Sequence, residues 1–290
     1  MIRIEYSEIE RRDRVLRKEL LRMLHSVWFV LGICFTLALC FFSEIVAGEE
    51  SYTILQVLKN MSRTAMAKEP QLMPAVALRN AFSGYVSLFV PIISALPMTQ
   101  LLHIETQSGY KRFYMSRKSH REYYWCKWSA GMLSGALMLL IVAVLFHGFM
   151  VLFLPGTDAE TLEMFGYADG NRVWDLVRTY IGILAYGAFS VIPAIFIASF
   201  TNNFYFVLCL PFMFSYFWDV AVSAAAKFIR THQAGEIFPN IIELFFSRAY
   251  LDIAESGRNF LVQAGRAVVL LTAVFLVYCA YLSRRKDCGE

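Results

Sequence analysis

Long uncharged runs alternate along this chain with short, densely charged stretches. Val27 to Val46 is apolar with Glu44 as its only charge, Phe82 to Leu102 and Trp128 to Thr157 carry none, and Ala267 to Ser283 is again apolar. Thr179 to Trp218 runs uncharged for 40 residues and is divided by the polar break Thr201-Asn202-Asn203. About 20 mostly apolar helical residues cross a bilayer core. The pattern therefore predicts an all-α integral membrane protein, one transmembrane domain over 1–290, with six transmembrane helices at 27–47, 82–103, 128–154, 177–200, 204–226 and 266–283. Backbone polar groups in lipid must pair within the segment, which favours helices. The alternating segments of about ten residues that a barrel needs are absent. Pro91, Pro97, Pro193 and Pro211 fall inside spans and are expected to kink them.

Composition agrees: 58% of the 290 residues are hydrophobic and 17% are charged, against about 25% charged in a soluble domain, and the mean hydropathy is +0.50. The net charge of +4 is too small to argue for nucleic acid as a partner. Its distribution says more. Residues 1–26 hold seven Lys or Arg, 104–127 hold six, and Arg284, Arg285 and Lys286 follow the last span. The positive-inside rule then places both termini and the 104–127 segment in the cytoplasm of a multi-pass plasma-membrane protein. The first span is too long for a cleaved signal, whose apolar core is about 7–15 residues. Six cysteines show no CxxC pair, so neither a disulfide framework nor a zinc site is expected.

Residues 1–26 read as an amphipathic interface helix: Ile9, Leu16 and Leu20 share one face, with Glu and Arg around the rest. Two roles stay open, a basic topological anchor and a contact with a partner. The apolar but interrupted stretch at 235–255 suggests a re-entrant or interfacial helix before the sixth span.

The segment 104–127 is far longer than a turn. It holds six basic residues, only the acids Glu105 and Glu122, and the rings of Tyr110, Phe113, Tyr114, Tyr123, Tyr124 and Trp125. Arginine mixed with aromatics marks protein interfaces, while anionic lipid is the competing partner for the basic groups.

Order along this segment resembles the permeases of ABC exporters of the ABC-2 type. In that family the second span ends in an acid, followed by Gly, a Ser-Pro-x-Ser-Arg-Arg-Glu stretch, and a Lys opening the third span. Here Glu105, Gly109, Ser116, Ser119, Arg121, Glu122 and Lys127 fall in register. Tyr110 replaces the usual Thr, Arg117 stands where Pro is common, and His120 where Arg is common. The resemblance implies a cytoplasmic coupling helix between spans two and three, seated on a separate ATPase subunit. It implies contacts from Glu105, Gly109, Arg112, Phe113, Tyr114, Arg117, His120, Arg121, Glu122, Tyr123 and Lys127, flanked by the helix of Ile9, Leu16 and Leu20. It also implies a second copy, or a related permease, as dimer partner. ATP and Mg would sit on the ATPase, since this chain has no GxxxxGK[ST]. No catalytic, cofactor or metal residues are expected, and the chain by itself is expected not to be an enzyme.

Ionisable groups inside spans are candidates for a path. Asp219 and His147 are the two singled out, with an amphipathic cargo such as a peptide, drug or lipid-like molecule. Two other classes fit the same layout: a non-transporting membrane anchor, immunity or sensor protein, and an ion-coupled secondary carrier.

Overall fold

The computed structural model describes residues 2–231 except 48–49, 68, 70–71, 84, 111–119, 155–171, 199–200 and 202. The expected elements at 235–255 and 266–283 lie outside the described residues, as do Arg112, Phe113, Tyr114 and Arg117. The elements are α1 (Ile2–Leu24), α2 (Val27–Phe41), β1 (Glu44–Ala47), β2 (Glu50–Thr53), α3 (Ile54–Asn60), α4 (Arg63–Ala67), α5 (Pro74–Ser83), α6 (Tyr85–Gln107), α7 (His120–Phe153), α8 (Arg172–Ser190), α9 (Ile192–Ala198) and α10 (Phe204–Thr231).

Among the described residues, four stretches are long and apolar enough to cross a membrane: Tyr85–Gln107, Trp125–Phe153, Leu176–Ala198 and Phe204–Ala225. A fifth is available if Asp13–Leu24 and Val27–Phe41, which meet at 57°, form one broken span. By helix length and hydropathy this is a multi-pass helical membrane protein. The described residues account for four or five spans rather than six, and residues 266–283 are not among them.

The first expected span, 27–47, is shorter as a helix. Ser26 caps α2 by accepting from the Trp28 N–H at 3.3 Å, but α2 stops at Phe41. Its 15 residues reach only about 22 Å at 1.5 Å each, short of a core of about 30 Å. The β-branched pair Ile45-Val46 goes instead into a two-stranded antiparallel hairpin, with Glu44 opposite Thr53 and Ala47 opposite Glu50. Thr53 then starts α3 with a capping box. It accepts from the Gln56 N–H at 3.3 Å, and its own N–H donates to the Gln56 side chain at 3.0 Å. The hairpin and α3–α5 form a small cap at one end of the bundle that hydropathy did not predict.

Other boundaries shift by a few residues. The second span runs to Gln107, so Glu105 is helical, and the third begins at Trp125, which brings Lys127 into it. The fourth is two helices, broken at Val191 beside Pro193.

Two close contacts hold α6, α7 and α8 together. Pro91 lies inside α6 and leaves the carbonyl of Ser87 without its helical donor. The hydroxyl of Tyr186 on α8 donates to that carbonyl at 2.6 Å. At the next residue of α8, Gly187 meets Gly135 of α7 backbone to backbone. A Cβ on Gly135 would stand 2.7 Å from the Gly187 carbonyl oxygen, and one on Gly187 2.6 Å from that of Gly135. Small residues allow such approach between membrane helices. The main core, with Val86, Val90, Leu139, Val142, Phe146 and Tyr186, continues into the cap through Ile54, Val57 and Leu78. A second core at the opposite end joins Met23 of α1 to Met98, Leu101, Trp128 and Ile195.

A candidate functional site: the ion cluster at the α1 end

The site forms where α1, the last turn of α6 and the first turns of α7 converge. Glu19 and Met23 are buried on the inward face of α1, with Leu16 and Leu20 half-buried beside them. Of the apolar stripe that predicted an interface helix, Leu16 packs on the protein's own second core, where Met23 also lies. Glu19 comes with it because its register falls between Leu16 and Met23.

Lys127 is the centre. Its ammonium donates to Glu19 Oε2 at 2.5 Å and to Glu105 Oε1 at 2.6 Å, and its side chain is 2% exposed. Glu105, 1% exposed, also accepts from the Tyr123 hydroxyl at 2.8 Å. Tyr123 and Lys127 are one helical turn apart on α7, and the ammonium lies 5.7 Å from that ring's centroid. Arg22 closes the cluster at the surface, with Nη1 3.1 Å from Glu105 Oε1 and 3.7 Å from Glu19 Oε1. Two carboxylates thus face two cations. Balance matters, because a buried charge that has lost its partner costs several kcal/mol.

Gly109 ends α6. Its φ of +69° is the left-handed conformation that closes helices, and a Cβ there would meet nothing within 4 Å. Conformation and not space is therefore what glycine supplies. Tyr110 follows, with the Arg22 guanidinium 5.7 Å from its ring centroid. Its hydroxyl is held above its ordinary pKa, first by partial burial and then by the carboxylates of Glu19 and Glu105, with Arg22 opposing.

Of the expected contact residues, Glu105, Tyr123 and Lys127 come together, and all three are buried inside the chain, not displayed on its surface. His120, Arg121 and Glu122 are in the first turn of α7 and Ile9 is in α1, but their side chains are outside the described residues. His147 Nδ1 is 2.8 Å from the Tyr180 hydroxyl, a pair between α7 and α8. Asp219 is half-buried on α10, where its backbone carbonyl accepts from Ser223 at 2.8 Å. These two are not brought together, because α10 packs on α6 and α9.

Glu19 and Arg22 escaped the sequence reading, although an acid flanking the apolar stripe of α1 was a usable signal. Among the described residues, no group of three or more His, Cys, Asp or Glu could hold a metal ion. The chain matches no protein-family model, and no curated protein matches it.

Proposed function

We propose that this chain is the membrane-spanning permease subunit of an ATP-driven exporter of the ABC-2 type. It works with separate ABC-type ATPase subunits that hold ATP and Mg, and with a second copy or a related permease. In this reading both termini and the 104–127 segment face the cytoplasm of the plasma membrane. The ATPases push on that segment, and the spans move an amphipathic cargo, with Asp219 and His147 as candidate path residues.

One observation carries the reading: Lys127 stands between Glu19 and Glu105. Glu105 and Lys127 bracket the basic, aromatic segment, so both its ends are clamped to each other and to α1. A segment that receives a push needs a stiff base, or the push is lost in local bending. A span simply turning round at the membrane surface has no such requirement, and a buried ion triad is a costly way to meet none. The side chains left to meet an ATPase are those between the clamps: Arg112, Phe113, Tyr114, Arg117, His120, Arg121 and Glu122.

The experiment is purification of the tagged chain from its native membrane. An ABC-type ATPase should co-purify, and Arg117→Ala, Arg121→Ala and Glu122→Ala together should abolish cargo stimulation of its hydrolysis. Transport by the purified chain with no ATPase present would establish the ion-coupled carrier instead.

A further inference from the structure

We propose that the outward face of α1 is a binding surface for anionic lipid headgroups. This does not depend on the exporter reading, since it needs no ATPase. At 100° per residue Arg14 and Lys18 line up along one side of α1, with Arg17 and Arg22 flanking them and His25 just past its last residue. All five are exposed. The opposite side, with Glu19 and Met23, is buried in the bundle. Among residues 13–24, whose side chains are described, the exposed acid is Asp13.

Depth selects the occupant. Arg22 reaches Glu105 in the last turn of the Tyr85–Gln107 span, and Lys127 lies in the first turn of the Trp125–Phe153 span. The cluster therefore sits at the ends of two spans, which is headgroup level. Exposed Trp125 lies at the same level, as interfacial tryptophans do. α1 meets α2 at 57°, so it leaves the span sideways as well as outward. With its inward face on the bundle, its basic face is turned away from the protein. Phosphate and carboxylate headgroups at that level complement Arg17 and Lys18 in charge, and each basic group near an anionic surface strengthens attraction on the order of fivefold.

The test measures competition between brominated lipids for the purified full-length chain, read by quenching of tryptophan fluorescence. Dibrominated phosphatidylglycerol should quench at a several-fold lower mole fraction than dibrominated phosphatidylcholine. Arg17→Gln with Lys18→Gln should cut that preference to near parity, and 0.5 M NaCl should weaken it in the unaltered chain. Arg22 is left alone because it belongs to the ion cluster. Lys59→Gln with Arg63→Gln, exposed at the cap end, should leave the preference intact. Equal quenching by the two lipids, a preference that survives in the Arg17/Lys18 variant, or equal losses in both double variants would overturn the assignment. If the Arg17/Lys18 variant fails to fold, the salt dependence of the unaltered chain decides: a preference unmoved by salt rejects a charge-based site.

Discussion

Tyr186 donates its hydroxyl at 2.6 Å to the carbonyl of Ser87, the group that Pro91 deprives of its partner within α6. A proline kink in a membrane helix is thereby repaired by a neighbouring helix, as the lack of water in the bilayer requires. Tyr186→Phe should cost about 1 kcal/mol, somewhat above the average for interhelical hydrogen bonds in membranes. Pro91→Ala restores an N–H for Ser87, so Tyr186→Phe should cost clearly less in that background. Thermal melts of the four proteins of this cycle test the coupling; equal costs in both backgrounds would refute it.

The Gly135–Gly187 crossing leaves no room for a methyl group. Gly187→Ala should destabilise by about 1–3 kcal/mol through overpacking, because its Cβ would meet the Gly135 carbonyl oxygen at 2.6 Å. Gly148 of α7, whose Cβ would meet nothing within 4 Å, is the control: Gly148→Ala should be neutral or stabilising. Detergent melting temperatures of the two variants should move apart.

Lys127→Met should cost about 3–5 kcal/mol, because it leaves Glu19 and Glu105 buried side by side without their ammonium. Glu19→Gln and Glu105→Gln added to Lys127→Met should recover much of that loss. A triple variant as unstable as the single one would show that the cost lies in packing of the lysine stem rather than in charge. Protease resistance of residues 1–24 should follow the same order, since the cluster holds α1 in place.

The His147–Tyr180 pair predicts a smaller effect. Tyr180→Phe should cost about 0.6 kcal/mol, the average for an interhelical hydrogen bond in a membrane. If His147 serves only to join α7 to α8, His147→Gln should leave transport unchanged once protein levels are equalised. A loss of transport with unchanged stability would place it in the path.

Hydropathy was enough to read four of the spans, because a bilayer core selects for long uncharged runs. The fifth span, expected at 204–226, coincides with Phe204–Ala225. Boundaries were harder. Lys127 and Glu105 look like loop residues by charge, yet they neutralise each other and extend their helices beyond the apolar runs. The hairpin at Glu44–Thr53 went unread because four-residue strands leave too few positions for an alternation to stand out. The site itself was half legible. The motif order brought out Glu105, Gly109 and Lys127, and the aromatic content Tyr123, but the burial of Glu105 and Lys127 depends on α1 folding back, and nothing local to 104–127 records that. Glu19 was hidden by its similarity to the many other charges of α1.

The most direct test of the central claim places a photo-crosslinking amino acid at Arg117, between the two clamped ends of the segment, in the native membrane. The account predicts a cross-link to a P-loop ATPase on the cytoplasmic side, with a yield that changes on adding ATP. A probe at Arg117 that is reached by impermeant reagents from outside the cell, or that captures no ATPase while the assembled complex hydrolyses nucleotide, would contradict it.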